Sequence, residues 1–195
     1  MPNLIIRAAL VLLACMVSAC GGATAARSGF IPSSVPMMAS RSDDHTHQFR
    51  ARGFALSQYG KVRVEPVSIS PNVDLELAAE DFRDLQARFQ ESLQAALERA
   101  GGSGERMLVV RGQITAIKPN KPMLNVAPQT QLLKRGYGYA ACEIYATDGE
   151  KGPVVAAWMN TLDTQRFGAE KLSELGTARQ ACEAWGPEFR KFLAE

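Results

Sequence analysis

The chain has 195 residues, with 22 Lys and Arg against 20 Asp and Glu and a net charge of +2. That length suits one domain with a real core and is short for two. Acids and bases are interleaved rather than gathered in blocks, which argues against a nucleic-acid partner, since that would call for a concentrated basic face.

Arg7 precedes about ten mostly apolar residues, 8–17, and small Ser18 and Ala19 lead into Cys20, the layout of a secretory signal with a small-residue cleavage site. The arrangement resembles a bacterial lipoprotein signal, in which the cysteine becomes the lipidated first residue of the mature protein. Processing at Cys15 would leave an apolar core of only residues 8–11, short of the roughly seven or more that such a region needs. An ordinary cleaved signal is one alternative; an uncleaved membrane helix would require about 18 apolar residues. Every one of these readings places the body outside the cytoplasm. Two acyl chains suffice for stable anchoring, and Gly21, where Asp would retain an enteric lipoprotein at the inner membrane, implies the outer membrane with the body facing the periplasm. The expected organisation is a signal peptide over 1–19, a lipidated tether over 20–27 and one domain over 28–195. Loss of Arg7 with the signal brings the charge to about +1, and Cys20, Cys142 and Cys182 remain.

Residues 21–27 are mainly Gly, Ala and Thr and read as a flexible tether. Ser28-Gly29-Phe30-Ile31 follows, then Pro32 and Pro36 around Met37 and Met38, an apolar segment without period that should lie extended against the domain with Phe30 buried. Asp43-Asp44-His45-Thr46-His47 holds both histidines. It has neither a helical i, i+4 His pair nor cysteines, so it reads as a polar loop with no metal.

Residues 61–69 alternate, Val62 and Val64 against Lys61, Arg63 and Glu65, and read as a strand. Pro66 should shift its phase and fits an edge position, leaving Val67 and Ile69 facing inward. Phe82, Leu85, Phe89, Leu93, Ala96 and Leu97 recur at three and four residue steps, predicting an amphipathic helix with Asp81 as N-cap and Gly101 as stop. Alternation returns from Arg106 to Lys118, a long central strand ended by Pro119. Residues 119–135 keep no period and carry Lys118, Lys121, Lys134 and Arg135 at their two ends. A stretch of that length is expected to be either a partner-binding segment using those four bases or a mobile surface loop.

Residues 136–141 spell G-x-G-x-x-A, but a strand follows where a dinucleotide site needs a helix, so no cofactor is expected. Ala140, Cys142, Ile144 and Ala146 form one strand face, with Tyr139, Glu143 and Tyr145 on the other. Asp148-Gly149 turns a hairpin into residues 154–162, with Val155, Ala157 and Met159 on one side and Trp158 on the other. Leu172, Leu175, Ala178, Cys182, Trp185, Phe189 and Phe192 then follow a helical stripe that Gly186-Pro187 could kink. Cys142 and Cys182 should face the same layer. In an oxidising compartment a disulfide between them would contribute about 2 to 4 kcal/mol; the alternative is a pair of inert buried thiols.

These elements assemble as an α+β two-layer sandwich, a mixed, mostly antiparallel sheet of about four to five strands with two helices on one face. The other face would carry Arg63, Glu65, Arg111, Gln113, Tyr139, Glu143 and Tyr145, and could be solvated or receive a partner. Ser28-Gly29-Phe30-Ile31, Tyr-x-Lys-Val-x-Val-x-Pro from Tyr59, Cys142-Glu143 with Asp148-Gly149, and Trp185 together resemble the bacterial lipoproteins known as domain of unknown function 3313. That resemblance implies an envelope lipoprotein with no assigned activity. The functional expectation is a non-enzymatic binding or structural component, held to a membrane through Cys20, with an envelope protein as partner. The alternative is a soluble periplasmic hydrolase, metal-dependent or built on a carboxylate pair such as Glu65 and Glu143. No G-x-S-x-G elbow supports it, and carboxylates on an open face would have ordinary acidity.

Overall fold

The computed structural model describes residues 27–41, 43–73, 77–98, 100–122, 137–163 and 173–195. Seven strands form one sheet: β1 (Met38–Ala39), β2 (Thr46–Arg50), β3 (Tyr59–Val64), β4 (Ser68–Ile69), β5 (Arg106–Lys118), β6 (Tyr139–Asp148) and β7 (Val154–Asp163). Two long helices accompany it, α1 (Ala79–Leu97) and α2 (Gly176–Ala194). The order is β1-β2-β7-β6-β5-β3, with β4 also paired to β5. Pairing is antiparallel except for β3 and β4, which run parallel to β5. A parallel pair needs a long crossover, and α1 lies within it. The two-layer α+β architecture is the expected one, with more strands than expected.

β5 spans the whole alternating run, and Leu108, Val110 and Ile114 are fully buried toward the helices. Pro66 divides the preceding run into β3 and β4, and Val67 between them joins the same core. On α1 the predicted stripe buries Leu85, Phe89, Leu93 and Leu97. The helix starts at Ala79 behind an Ala78 cap that makes no side-chain hydrogen bond, and ends at Leu97 rather than near Gly101. Asp81 therefore lies in the first turn instead of capping it, where a carboxylate complements the positive end of the helix dipole. On α2 the stripe from Leu175 to Phe192 is buried as read, and Pro187 lies inside the helix; Leu172 lies outside the described residues. Phe89 meets Trp185 edge-on, with ring centroids 5.0 Å apart.

α1 and α2 approach closely at Gly186. Ser92 Oγ donates to the Glu183 carbonyl at 2.7 Å and accepts from the Gly186 N–H at 3.2 Å. A Cβ on Gly186 would lie 2.3 Å from the Ser92 carbonyl oxygen. At the exposed seam, Asp84 accepts from Arg88 at 2.9 Å and from Arg179 at 2.8 Å. Burial opposes its charged form, but the hydrogen bonds from Arg179 and Arg88 prevail and hold Asp84 below the usual carboxylate range.

A polar thread crosses the core. Trp185 Nε1 donates to Asn160 Oδ1 at 3.0 Å, Asn160 Nδ2 donates to Thr46 Oγ1 at 2.8 Å, and Thr46 Oγ1 donates to Asp43 Oδ2 at 3.0 Å. Asn160 is completely buried. The thread ties α2 through β7 to β2, whose first residues, Thr46 and His47, belong to the segment expected to be a polar loop.

On β7, Trp158 and Ala156 face the helices while Ala157 and Met159 face away, and Val155 sits in the helix-side core rather than with Ala157. The register shift opposite Ala146 and Thr147 breaks simple alternation there. The sheet ends in short or charged strands. β1 has two residues and follows Pro36, and β3 exposes Lys61 and Arg63, the latter paired with Glu65 at 2.7 Å and Glu150 at 2.8 Å. No helix among the described residues is long and apolar enough to cross a membrane.

Candidate functional site

The sheet face away from the helices is not an open polar surface. β6 sets Glu143 between Gln113 of β5 and Met159 of β7, and Glu143 is completely buried. A strap formed by residues 27–37 covers it. Glu143 Oε1 accepts from the Ser28 N–H at 2.5 Å, and Oε2 from the Ile31 N–H at 2.9 Å. Two amides three residues apart converge on one carboxylate because Gly29 turns the chain with φ of +92°, a conformation side chains disfavour. Ser28 Oγ accepts from the Phe30 N–H at 3.1 Å and donates to Gln113 Oε1 at 3.3 Å.

Arg27 closes the strap on itself, donating to the carbonyls of Val35 at 3.2 Å, Pro32 at 2.8 Å and Ile31 at 3.4 Å. Ile31 is fully buried and packs with Val35, Ala157 and Met159. Phe30, expected inside, is only half-buried, its ring 5.2 Å from that of Tyr145. The segment thus lies against the domain as read, with Ile31 as its apolar anchor.

The suggested Glu65 and Glu143 pair is corrected by this geometry. Both Glu143 oxygens are occupied by backbone amides under the strap, and Glu65 is paired with Arg63. Held by those amides and completely buried, Glu143 offers no carboxylate oxygen to solvent while the strap is docked.

Of the four bases, Lys118 and Lys121 are exposed at one end of the sheet; Lys134 and Arg135 lie outside the described residues, as does Cys20. Asn120, between the two lysines, is buried and organises that end. Its Oδ1 accepts from the Gly138 N–H at 2.8 Å and Thr177 Oγ1 at 3.0 Å, and its Nδ2 donates to the Ser173 carbonyl at 2.7 Å. No local pattern marks this role, which depends on segments meeting in space. Among the described residues no group of three or more His, Cys, Asp or Glu is placed to hold a metal. His45 donates its backbone N–H to Asp43 in a turn, and His47 belongs to β2.

Cys142 on β6 and Cys182 on α2 are both buried in the helix-side core and stand as free thiols in the structure. Burial pushes both thiols well above their ordinary value. Native protein treated with iodoacetamide at about pH 8 should therefore take up no label at either position, while unfolded protein takes up label at both. Failure to label both after unfolding without reductant would reveal a disulfide.

A cleft of about 630 Å³ opens on the helix side between the β1 edge and the end of α2, with Met38, Trp158 and Phe192 in its lining. Met38 is 68 % exposed, the large hydrophobic side chain that the described surface leaves to solvent.

The family described as a protein of unknown function, DUF3313, matches residues 26–189. Among solved structures, a PelC dodecamer from Paraburkholderia phytofirmans aligns with 10% identity over 73% of this chain and 92% of that chain, with a TM-score of 0.44. A hypothetical protein from Chlamydia trachomatis aligns with 14% identity over 69% of this chain and 98% of that one, with a TM-score of 0.42. Among curated proteins none matches.

Proposed function

We propose, from the premise that this chain belongs to the DUF3313 family, that it is a lipid-anchored component of the bacterial envelope, attached through Cys20, that acts by binding rather than by catalysis. The observation that carries this reading is the way the chain joins the domain. Arg27 follows Cys20 by seven positions, an extended reach of at most about 25 Å. Ser28, the next residue, is already fastened to the sheet by the buried Glu143. A domain held at its N-terminus needs such a junction, because any pull on the anchor reaches the fold there first. The non-catalytic part is supported by the commitment of buried reactive groups: Glu143 serves backbone amides, and the two thiols are held protonated by burial.

The partner surface in this reading is the end of the sheet bearing Lys118 and Lys121. Arg135 precedes Tyr137 by two residues, and the next residue, Gly138, bonds to Asn120 beside those lysines. With Lys134 and Arg135 close before Tyr137 in the chain, the four bases Lys118, Lys121, Lys134 and Arg135 would suit an acidic patch on an envelope protein.

The test is the intact mass and membrane fraction of the protein from an exporting bacterium, beside Cys20→Ser and Cys15→Ser variants. Wild type and Cys15→Ser should carry a lipid mass and sediment with outer membrane, and Cys20→Ser should not. Absence of lipid on every form would overturn the anchored reading in favour of a soluble periplasmic domain.

A further inference from the structure

The strap rests on a core of its own. Ile31 and Val35 pack with Ala157 and Met159 in a small cluster, while the large core between sheet and helices contains no strap residue. Arg27 bonds only to strap carbonyls, so it curls the segment without fastening it to the sheet. What fastens it is the small apolar cluster, the Phe30 to Tyr145 ring contact, the Ser28 to Gln113 bond and the two amides held by Glu143. A unit attached in this way can open without breaching the main core, the condition for local rather than global unfolding. Water would then reach Glu143 and replace the lost amides, so opening does not strand a buried polar group.

We propose that the strap is a releasable latch with Glu143 as its catch, and that release both lengthens the tether and uncovers the apolar patch of Tyr145, Ala157 and Met159. The lengthening rests on the lipid-anchored reading. Docked, the domain hangs from about seven residues, at most about 25 Å; released as far as Met38 it hangs from about 18, roughly 60 Å. The latch therefore sets whether the domain is held near its attachment point or stands off from it with a second face available.

Hydrogen exchange on the mature protein tests the latch, comparing wild type with Glu143→Gln and Ile31→Ala. Gln keeps the size of Glu but turns an N–H toward amides that need an acceptor. The hydrogen-bonded amides of Ser28, Phe30, Ile31 and Val35 should exchange by local opening in wild type and about tenfold or more faster in Glu143→Gln, with β5, β6, α1 and α2 unchanged. Ile31→Ala leaves the catch intact and should also accelerate the strap alone, which decides the matter if Glu143→Gln does not fold. Strap amides that exchange only with global unfolding, or variants that accelerate every element equally, would overturn the latch.

This experiment needs no lipid, so its outcome is separate from that of the anchor. The change in reach is then read on lipidated protein in phosphatidylethanolamine and phosphatidylglycerol vesicles, by energy transfer from a dye on Ala95→Cys to headgroup acceptors. Transfer should fall in Glu143→Gln. Unchanged transfer would overturn the lengthening, whereas absence of protein from the vesicles would speak against the anchor instead.

Discussion

Gly186→Ala should destabilise the protein by about 3 kcal/mol or more, against the sign that helix propensity alone gives. In a helix interior Ala is favoured over Gly by about 1 kcal/mol. Here the added methyl would lie 2.3 Å from the Ser92 carbonyl oxygen and 2.5 Å from its carbonyl carbon. Those are backbone atoms of α1, so the clash is relieved only by moving one helix off the other. Overpacking of that kind typically costs about 1 to 3 kcal/mol and more where no side chain can yield, and separation of the helices also strains the Ser92 bonds to Gly186 and Glu183. At this chain length each kcal/mol shifts the melting temperature by about 2 to 4 °C, so thermal unfolding should show a drop near 10 °C. A variant as stable as wild type would mean that the helices do not meet this closely in solution.

Asn160→Leu should cost about 1 to 3 kcal/mol, although it exchanges a polar for an apolar side chain of similar size in the core. Hydrophobic transfer favours the change, but it strands the Trp185 indole N–H, which loses its acceptor, while Thr46 Oγ1 loses one donor and keeps its bond to Asp43. Each buried polar group left unpaired costs about 1 to 3 kcal/mol. Urea unfolding followed by Trp fluorescence checks this, with Asn160→Leu expected to unfold at lower urea. An unchanged midpoint would show that the thread contributes nothing to stability.

The helix-side architecture was legible because its signals are local. The alternating run of β5, the Asp148-Gly149 hairpin and the stripe of α1 each declare themselves within a few residues, and each element formed where its pattern placed it. β2 was not legible, since Thr46-His47-Gln48-Phe49-Arg50 carries a single strong apolar residue and is a strand because β7 pairs with it. β7 misled for the opposite reason: eight of its ten residues are buried, so both faces look apolar and periodicity cannot say which one meets the helices.

Glu143 shows the limit most clearly. Alternation correctly put it on the face away from the helices. What buries it is a segment 115 positions earlier, which no window of sequence around residue 143 contains. The letters that carried the family resemblance, Ser28-Gly29-Phe30-Ile31 and Cys142-Glu143, come together at this contact, so the resemblance marked the site before any periodicity could.

The brevity of β1 and the charged border of β3 bear on how copies of the protein coexist. Molecules confined to a membrane as proposed collide in two dimensions, far more often than the same number dispersed in solution. An open strand edge would let such collisions seed fibrils. One border of this sheet offers two residues behind a proline, and the other exposes charged side chains, Lys61 and Arg63 with its partner Glu65, that a pairing strand would have to accommodate. Crowding would then raise the rate of encounter without giving backbone pairing a template on which to grow.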